Sequence, residues 1–328
     1  MTLGTVEHKP LVSLHQAYVE ISFCVFFWGA SFASMKIAVG ETAPILAVWF
    51  RIAFGMLVLL PFAVWRKELA PLPRKDWLAL AVLGFQGVVF HQNIQFVGMA
   101  SAGVANANWM IAGTPSVVAL LGWLFLGETL SKGSVAGLLI SGFGVLLVVG
   151  LGTKGLGLFR IGALGDLMIA VSAVNWAVFQ ILSRRLVRAS RPTFTVFWMN
   201  VFALAMQSVL LLVFPSGISE LASISPRGWS AMLFLGCICS GLCYIFWYDG
   251  LSVIPAARVA AFQFIQPLFG VLAAYFITGE RFTPFILFGG TLTLCGIWMV
   301  NHGKRTNRRQ IGERRVGKEC RSRWSPYH

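Results

Sequence analysis

Residues 28–36 read WGASFASMK and residues 176–184 read WAVFQILSR, an echo at a distance of 148 residues. Pro44 and Pro192 keep the same spacing. Farther along, Trp77 pairs with Trp229, Gly84 with Gly236, Gly98 with Gly250 and Pro115 with Pro267, all 152 residues apart. Gly127 and Glu128 match Gly279 and Glu280, then Gly137 matches Gly289 and Gly144 matches Gly296. A single matched glycine means little in apolar sequence, where glycine and proline are common. An ordered series at nearly constant offset, reconciled by one four-residue insertion, marks a duplicated unit.

The landmarks sit on apolar runs at 17–36, 44–65, 77–96, 102–126, 133–150, 163–183, 194–214, 229–248, 256–278 and 284–301. Each is about long enough to cross a ~30 Å hydrocarbon core as a helix. The alternating segments of about ten residues that a membrane barrel needs are absent. With 57% hydrophobic and 12% charged residues and a mean hydropathy of +0.76, the chain belongs in lipid. The predicted fold is an all-α integral membrane protein of ten transmembrane helices, arranged as two five-helix repeats around a central cavity. Five is odd, so the second copy enters the membrane from the opposite face and the repeats are inverted. The division is a lead at 1–16, repeats at 17–150 and 163–301, and a basic tail at 302–328.

Short basic loops stay in the cytoplasm. Arg66, Lys67, Arg74 and Lys75 share one side with Arg184, Arg185, Arg188 and Arg191 and with the tail from Lys304. Both termini are therefore expected in the cytoplasm. The net charge of +14 is spread over these loops and the tail, which argues for topology and against nucleic-acid binding. The first apolar run is full length and lacks a cleavage site, so it is read as an anchor. The tail has no apolar periodicity and reads as disordered, and its end, from about Val316, looks like read-through.

Polar side chains in hydrocarbon are unfavourable unless they face a cavity or a partner, so they are the candidates for a solute site. The densest group is HQNIQ at 91–95, where His91 and Gln95 share a helix face and Gln92 lies beside them. Asn106, Asn108 and Trp109 open the fourth span, and Asn175, Trp176 and Gln180 lie in the sixth. Gln263 and Gln266 stand a turn apart beside Pro267. Trp28, Trp176, Tyr244, Trp247 and Tyr248 offer aromatic faces for an apolar group or an ammonium. Pro115 and Pro267 free a backbone carbonyl and kink their helices, which makes them candidate hinges. His91 and Glu20 are the residues that could couple transport to protons.

Glu20 and Arg51 are counted as the only charges clearly inside spans, and one arginine is too few for a phosphorylated solute. No catalytic set of carboxylates, metal ligands or activated serine shares a depth, so an enzyme is not expected. No G-x-x-x-x-G-K-[ST] run is present, and Cys237, Cys239 and Cys243 lack the spacing and company of a metal site. No cofactor is expected.

Trp28, Gly29 and Phe32 in the first span, prolines in the fourth and ninth, and G-E after each of those resemble the EamA type of the drug/metabolite transporter superfamily. The resemblance covers about residues 17–301. It implies a bacterial inner-membrane secondary transporter that works by alternating access as a monomer on a small solute in the lipid bilayer. Within the family the chain is most similar to amino-acid exporters, those for aromatic amino acids included. Export of aromatic and other neutral amino acids or related metabolites is the expected function, with a multidrug or other small-metabolite exporter as the alternative.

Overall fold

The computed structural model describes residues 12–69, 74–126, 131–151, 162–189, 192–254, 259, 262–263, 265–279 and 283–300. Among them the regular structure is helical throughout. α1 spans Leu14–Glu41 and α2 Pro44–Trp65. α3 consists of Arg74–Gly84, a π-helical stretch Phe85–Phe90 and His91–Ser101. α4 is Val104–Ala112 and, after a break at Gly113, Thr114–Leu126. α5 is Lys132–Leu151, α6 Gly162–Ala189 and α7 Pro192–Val213. α8 repeats the plan of α3, with Pro226–Leu233, π-helical Phe234–Leu242 and Cys243–Val253. α9 restarts at Gln266–Ala273 and ends in a π-helical turn, Ala274–Thr278, and α10 is Pro284–Val300. A 3₁₀ helix, Ile218–Ser223, lies between α7 and α8.

Six of these helices, α1, α2, α3, α4, α7 and α8, are long and apolar enough to cross a bilayer, and the other four hold the shorter apolar helical stretches Lys132–Val148, Leu164–Gln180, Gln266–Thr278 and Pro284–Val300. Leu139, Leu146, Leu212 and Phe276 point outward and are 68–80% exposed, a surface suited to lipid and not to water. The chain is a multi-pass membrane protein. Helix ends follow local chemistry. Ser13 Oγ accepts from Gln16 N and Ser225 Oγ from Gly228 N, capping α1 and α8, while Pro44 and Pro226 occupy first turns where no N–H is needed. The Ser13 cap lengthens α1 beyond the 17–36 expected from hydropathy. Gly127, Glu128, Glu280, Arg191 and the tail lie outside the described residues.

Contacts between helices come in matched sets. A Cβ at Gly84 would lie 2.5 Å from Met199 O and 3.5 Å from Ala203 N; one at its counterpart Gly236 would lie 2.9 Å from Arg51 O and 3.2 Å from Gly55 N. Met199 and Ala203 are themselves 148 residues from Arg51 and Gly55. The α3–α7 crossing is therefore repeated, residue for residue, as the α8–α2 crossing. A Cβ at Gly98 would meet Gly165 O and Ile169 of α6, and one at its counterpart Gly250 would meet Ile21 and, at 4.0 Å, Ala17 O of α1, again at the same offsets. α5 and α10 pair with each other: a Cβ at Gly137 would lie 2.5 Å from Gly296 O and one at Gly144 2.6 Å from Gly289 O. Small residues let the backbones approach this closely, and close packing holds membrane helices together where lipid removes the hydrophobic drive.

The contacts also order the helix ends. α1 ends near the end of α3, because Lys36 Nζ donates to the carbonyls of Met99, Ala100 and Ala102. The start of α6 is at this same distal face, through Gly165 against Gly98 and Asn106 Nδ2 donating to Asp166 at 3.3 Å. Glu41 at the end of α1 accepts from Ser225 N and Oγ at the start of α8, at 2.7 and 2.6 Å. At the proximal face, where α1 begins, Arg66 at the end of α2 makes a two-pronged ion pair with Asp249 of α8 at 2.8 and 2.7 Å and donates to Thr193 of α7. α1 and α6 therefore start at opposite faces.

The pair also corrects the count of embedded charge. The expected eighth span stopped at residue 248, but the helix continues to Val253 and buries Asp249, which is 1% exposed. Asp166, 4% exposed in α6, is a further buried carboxylate.

Gly144→Leu should force α5 from α10 and cost about 1–3 kcal/mol through overpacking. Gly142, with open space around its Cβ position, should accept leucine with little loss. Thermal denaturation of the two variants in detergent checks the difference.

Candidate functional site

A cavity of about 60 Å³ lies in the middle of the bundle, lined from both copies. α1 supplies Trp28, Ser31 and Phe32, α2 supplies Arg51, and α3 supplies His91, Gln92 and Gln95. Ile111 comes from α4, Trp176 from α6, Tyr244 from α8, and Gln263 and Gln266 from the segment that opens α9.

The π-helical stretches explain how these side chains reach the centre. Phe85–Phe90 ends just before His91, and Phe234–Leu242 ends just before Cys243, the position equivalent to His91. A π turn holds more residues per turn than an α-helix, so it rotates everything beyond it around the helix axis. His91, Gln92 and Tyr244 follow directly on such turns. In α9 the helix is interrupted before Gln266 and Pro267, where Gln263 and Ile265 are in turns, and in α4 it breaks at Gly113, two residues before Pro115. Proline at the second position of each restarted helix removes an N–H that would have no partner.

Two pairs of equivalent residues meet in the centre. Trp28 and Trp176 lie edge to face with centroids 6.4 Å apart. Gln92 and Tyr244 line the cavity from the two copies. Around them, His91 stacks on Trp176 at 5.1 Å, Phe179 stacks on the same indole at 5.0 Å, and Tyr244 and Trp247 pack on Trp28 at 6.0 and 5.0 Å. Trp28 Nε1 donates to Cys239 O at 3.0 Å, which fixes its plane. Gly87 leaves the space that the Phe179 ring fills.

Three residues that line the cavity each carry a buried polar atom with no hydrogen-bond partner: His91 Nδ1, Gln92 Oε1 and Arg51 Nη1. Buried polar groups without partners are costly in a folded protein and mark places where a solute or water completes the bonding.

Of the residues singled out from sequence, Trp28, His91, Gln92, Gln95, Trp176, Tyr244, Gln263 and Gln266 converge on the cavity. Trp247 and Tyr248 are buried behind it, Trp247 against Trp28. Gln180 lies a turn beyond Trp176, with its Nε2 unpartnered. Asn108 and Trp109 are buried but go elsewhere: Asn108 packs on Gly270 of α9 and donates to Val104 O, and Trp109 lies on Gly290 of α10. Glu20 is two turns from Trp28 towards the proximal face, where it accepts from Gln16 at 2.8 Å. Arg51, Ser31, Phe32 and Ile111 line the cavity without having been singled out. Arg51 carried the one usable signal, as a charge in the middle of a span.

The chain matches the EamA-like transporter family at residues 17–150 and again at 163–302. It is 28% identical over 288 residues to an uncharacterized transporter of Archaeoglobus fulgidus, covering 87% of this chain and 96% of that one. It is 26% identical over 282 residues to an uncharacterized transporter of Bacillus subtilis, covering 85% and 92%. An S-adenosylmethionine/S-adenosylhomocysteine transporter of Chlamydia trachomatis is 24% identical over 313 residues, covering 92% and 93%. A crystal structure superposes with a TM-score of 0.67 at 20% identity, over 90% of this chain and 99% of that one, and so shares the fold.

The placements separate two kinds of buried tryptophan. Trp176→Ala should weaken solute binding on the order of tenfold, through loss of the stacked indole face, in a protein that still folds. Trp109→Ala should instead cost about 3–5 kcal/mol of stability and leave the binding constant of surviving protein unchanged. Binding and thermal denaturation measured on the same preparations distinguish the two.

Proposed function

Because the chain belongs to the EamA-like transporter family, we propose that it is a secondary exporter of amino acids, aromatic and other neutral ones, or of metabolites that carry an amino-acid group. The observation that carries this reading is the central cavity. It combines amides, an imidazole, one guanidinium and two indoles set edge to face, and three of its residues carry a buried polar atom without a partner. Such a lining suits a compact solute with both charges and an apolar part. It does not suit a phosphorylated solute, which would draw several cations.

In this reading ten helices cross the bacterial inner membrane as two inverted five-helix repeats, with both termini and the proximal face in the cytoplasm. The matched crossings and the opposite starts of α1 and α6 support the inversion. At about 60 Å³ the cavity is far smaller than the ~300–1,000 Å³ of pockets that hold drug-sized ligands. Transport therefore requires the halves to part on one side and then on the other, with the breaks before Pro115 and Pro267 as the hinges. The Arg66–Asp249 pair closes the proximal side and Glu41 on Ser225 the distal side.

A second reading is favoured by the Chlamydia trachomatis relative, an S-adenosylmethionine/S-adenosylhomocysteine transporter. Those solutes join an amino-acid end to a flat purine, and the Trp28 and Trp176 faces would take the purine.

Purified protein in liposomes, loaded with unlabelled solute and offered labelled solute outside, tests both. Exchange of phenylalanine or tryptophan supports the first reading. Exchange of S-adenosylhomocysteine alone supports the second. Exchange of neither by folded protein overturns both. Running each arm with and without a pH gradient shows whether protons are coupled.

A further inference from the structure

Arg51 is the polar residue of the cavity that the fold itself does not need. It sits in mid-helix on α2, 4% exposed, on the crossing of α2 with α8. Its Nε donates to Ser240 Oγ at 2.8 Å, and its guanidinium lies 5.7 Å from the centre of the Phe96 ring. Nη1 is buried and has no partner. The titratable groups near it are Cys239, Cys243, Tyr244 and His91, and among the described residues it makes no ion pair with a carboxylate.

The duplication supplies an internal control. The equivalent of Arg51 is Met199, and the equivalent of Ser240 is Val88. Both are buried and apolar, at 0% and 4% exposure. Met199 O receives Gly84 as Arg51 O receives Gly236, so the crossing forms equally well with an apolar side chain at that position. An arginine left in hydrocarbon with an open donor is unfavourable and is retained where it meets a partner that comes and goes.

We propose that Arg51 is the carboxylate-binding group of the solute site, so that the transported solutes are those bearing a free carboxylate. This rests on the transport reading above and narrows it to a substrate class. Ser240 holds the guanidinium at Nε and Phe96 backs its face, which leaves Nη1 as the open donor of a residue that lines the cavity. A charge-assisted N–H to carboxylate bond is among the strongest single contacts a small solute can make. On the same cavity, the unpartnered oxygen of Gln92 is an acceptor, His91 Nδ1 accepts when the ring proton is on Nε2, and an ammonium supplies the matching donors. The apolar part of the solute then lies on Trp28 and Trp176. An α-amino acid meets all three conditions.

The test measures exchange in liposomes and ligand-dependent thermal stabilisation in detergent, using phenylalanine, phenylalaninamide, phenethylamine and 3-phenylpropionate. With native protein, phenylalanine and 3-phenylpropionate should bind, and the amide and the amine should not compete. Arg51→Gln should weaken phenylalanine by roughly 10- to 100-fold and erase its advantage over the amide, while the unliganded protein keeps its melting temperature. Arg51→Lys should recover part of the carboxylate preference.

If phenylalanine is exchanged but Arg51→Gln binds it as tightly as native protein, or the amine competes as well as the acid, the Arg51 assignment is overturned and the transport reading stands. If phenylalanine is not exchanged but 3-phenylpropionate stabilises the protein in an Arg51-dependent way, the amino-acid reading fails and Arg51 keeps its role. If no carboxylate binds, both fail. Should Arg51→Gln not fold, Ser240→Ala frees the guanidinium without removing it, and unchanged carboxylate affinity in that variant counts against the proposal.

Discussion

Backbone approaching backbone without an intervening side chain is the constraint on which this bundle depends. In lipid, apolar side chains gain little by leaving their surroundings, so helices associate through contact area and carbonyl approach. Gly84 against Met199 O, Gly236 against Arg51 O, Gly137 against Gly296 O and Gly144 against Gly289 O are all of this kind. Each crossing has a twin at the equivalent residues of the other copy. The two halves do not fold side by side as separate bodies: α3 of the first grips α6 and α7 of the second, while α8 of the second grips α1 and α2 of the first. The central cavity is what remains where four of these crossings meet.

The cavity's lining breaks the symmetry that the frame keeps. Trp28 and Trp176 still face each other, but His91 stands opposite a cysteine position, Gln92 opposite Tyr244, and Arg51 opposite Met199. Each of these differences adds a polar group on one side where the other keeps an apolar or aromatic one. The ties at the two faces differ as well. The proximal face is held by a buried ion pair, in which loss of one partner would leave a stranded charge, and the distal face by a carboxylate on a helix start.

The frame was legible in the sequence because glycines and prolines carry their meaning in position alone. Offsets of 148 and 152 residues between like residues mark the duplication, and several of those glycines sit at the helix crossings. The site was only half legible, for a physical reason. A sequence gives the depth of a residue in the membrane directly, but its direction around the helix only if the turn is regular. The π-helical stretches before His91 and Cys243, and the breaks at Gly113 and before Gln266, shift that direction. Asn108 and Trp109 have the right depth and the right chemistry, yet they face Gly270 and Gly290. Arg51 also has the right depth, and it was weighed as a sign of which solutes to exclude when its place is in the lining. Asp249 escaped notice because hydropathy ends the eighth span five residues before its helix does.

The glycine contacts have a consequence for how such a protein changes over generations. They are made of backbone atoms and ask only that a side chain be absent, so they place no demand on the residues a turn away that look into the cavity. Those residues are free to drift, copy by copy, without loosening the frame. A shared architecture at 20% identity is what such a separation between frame and lining allows.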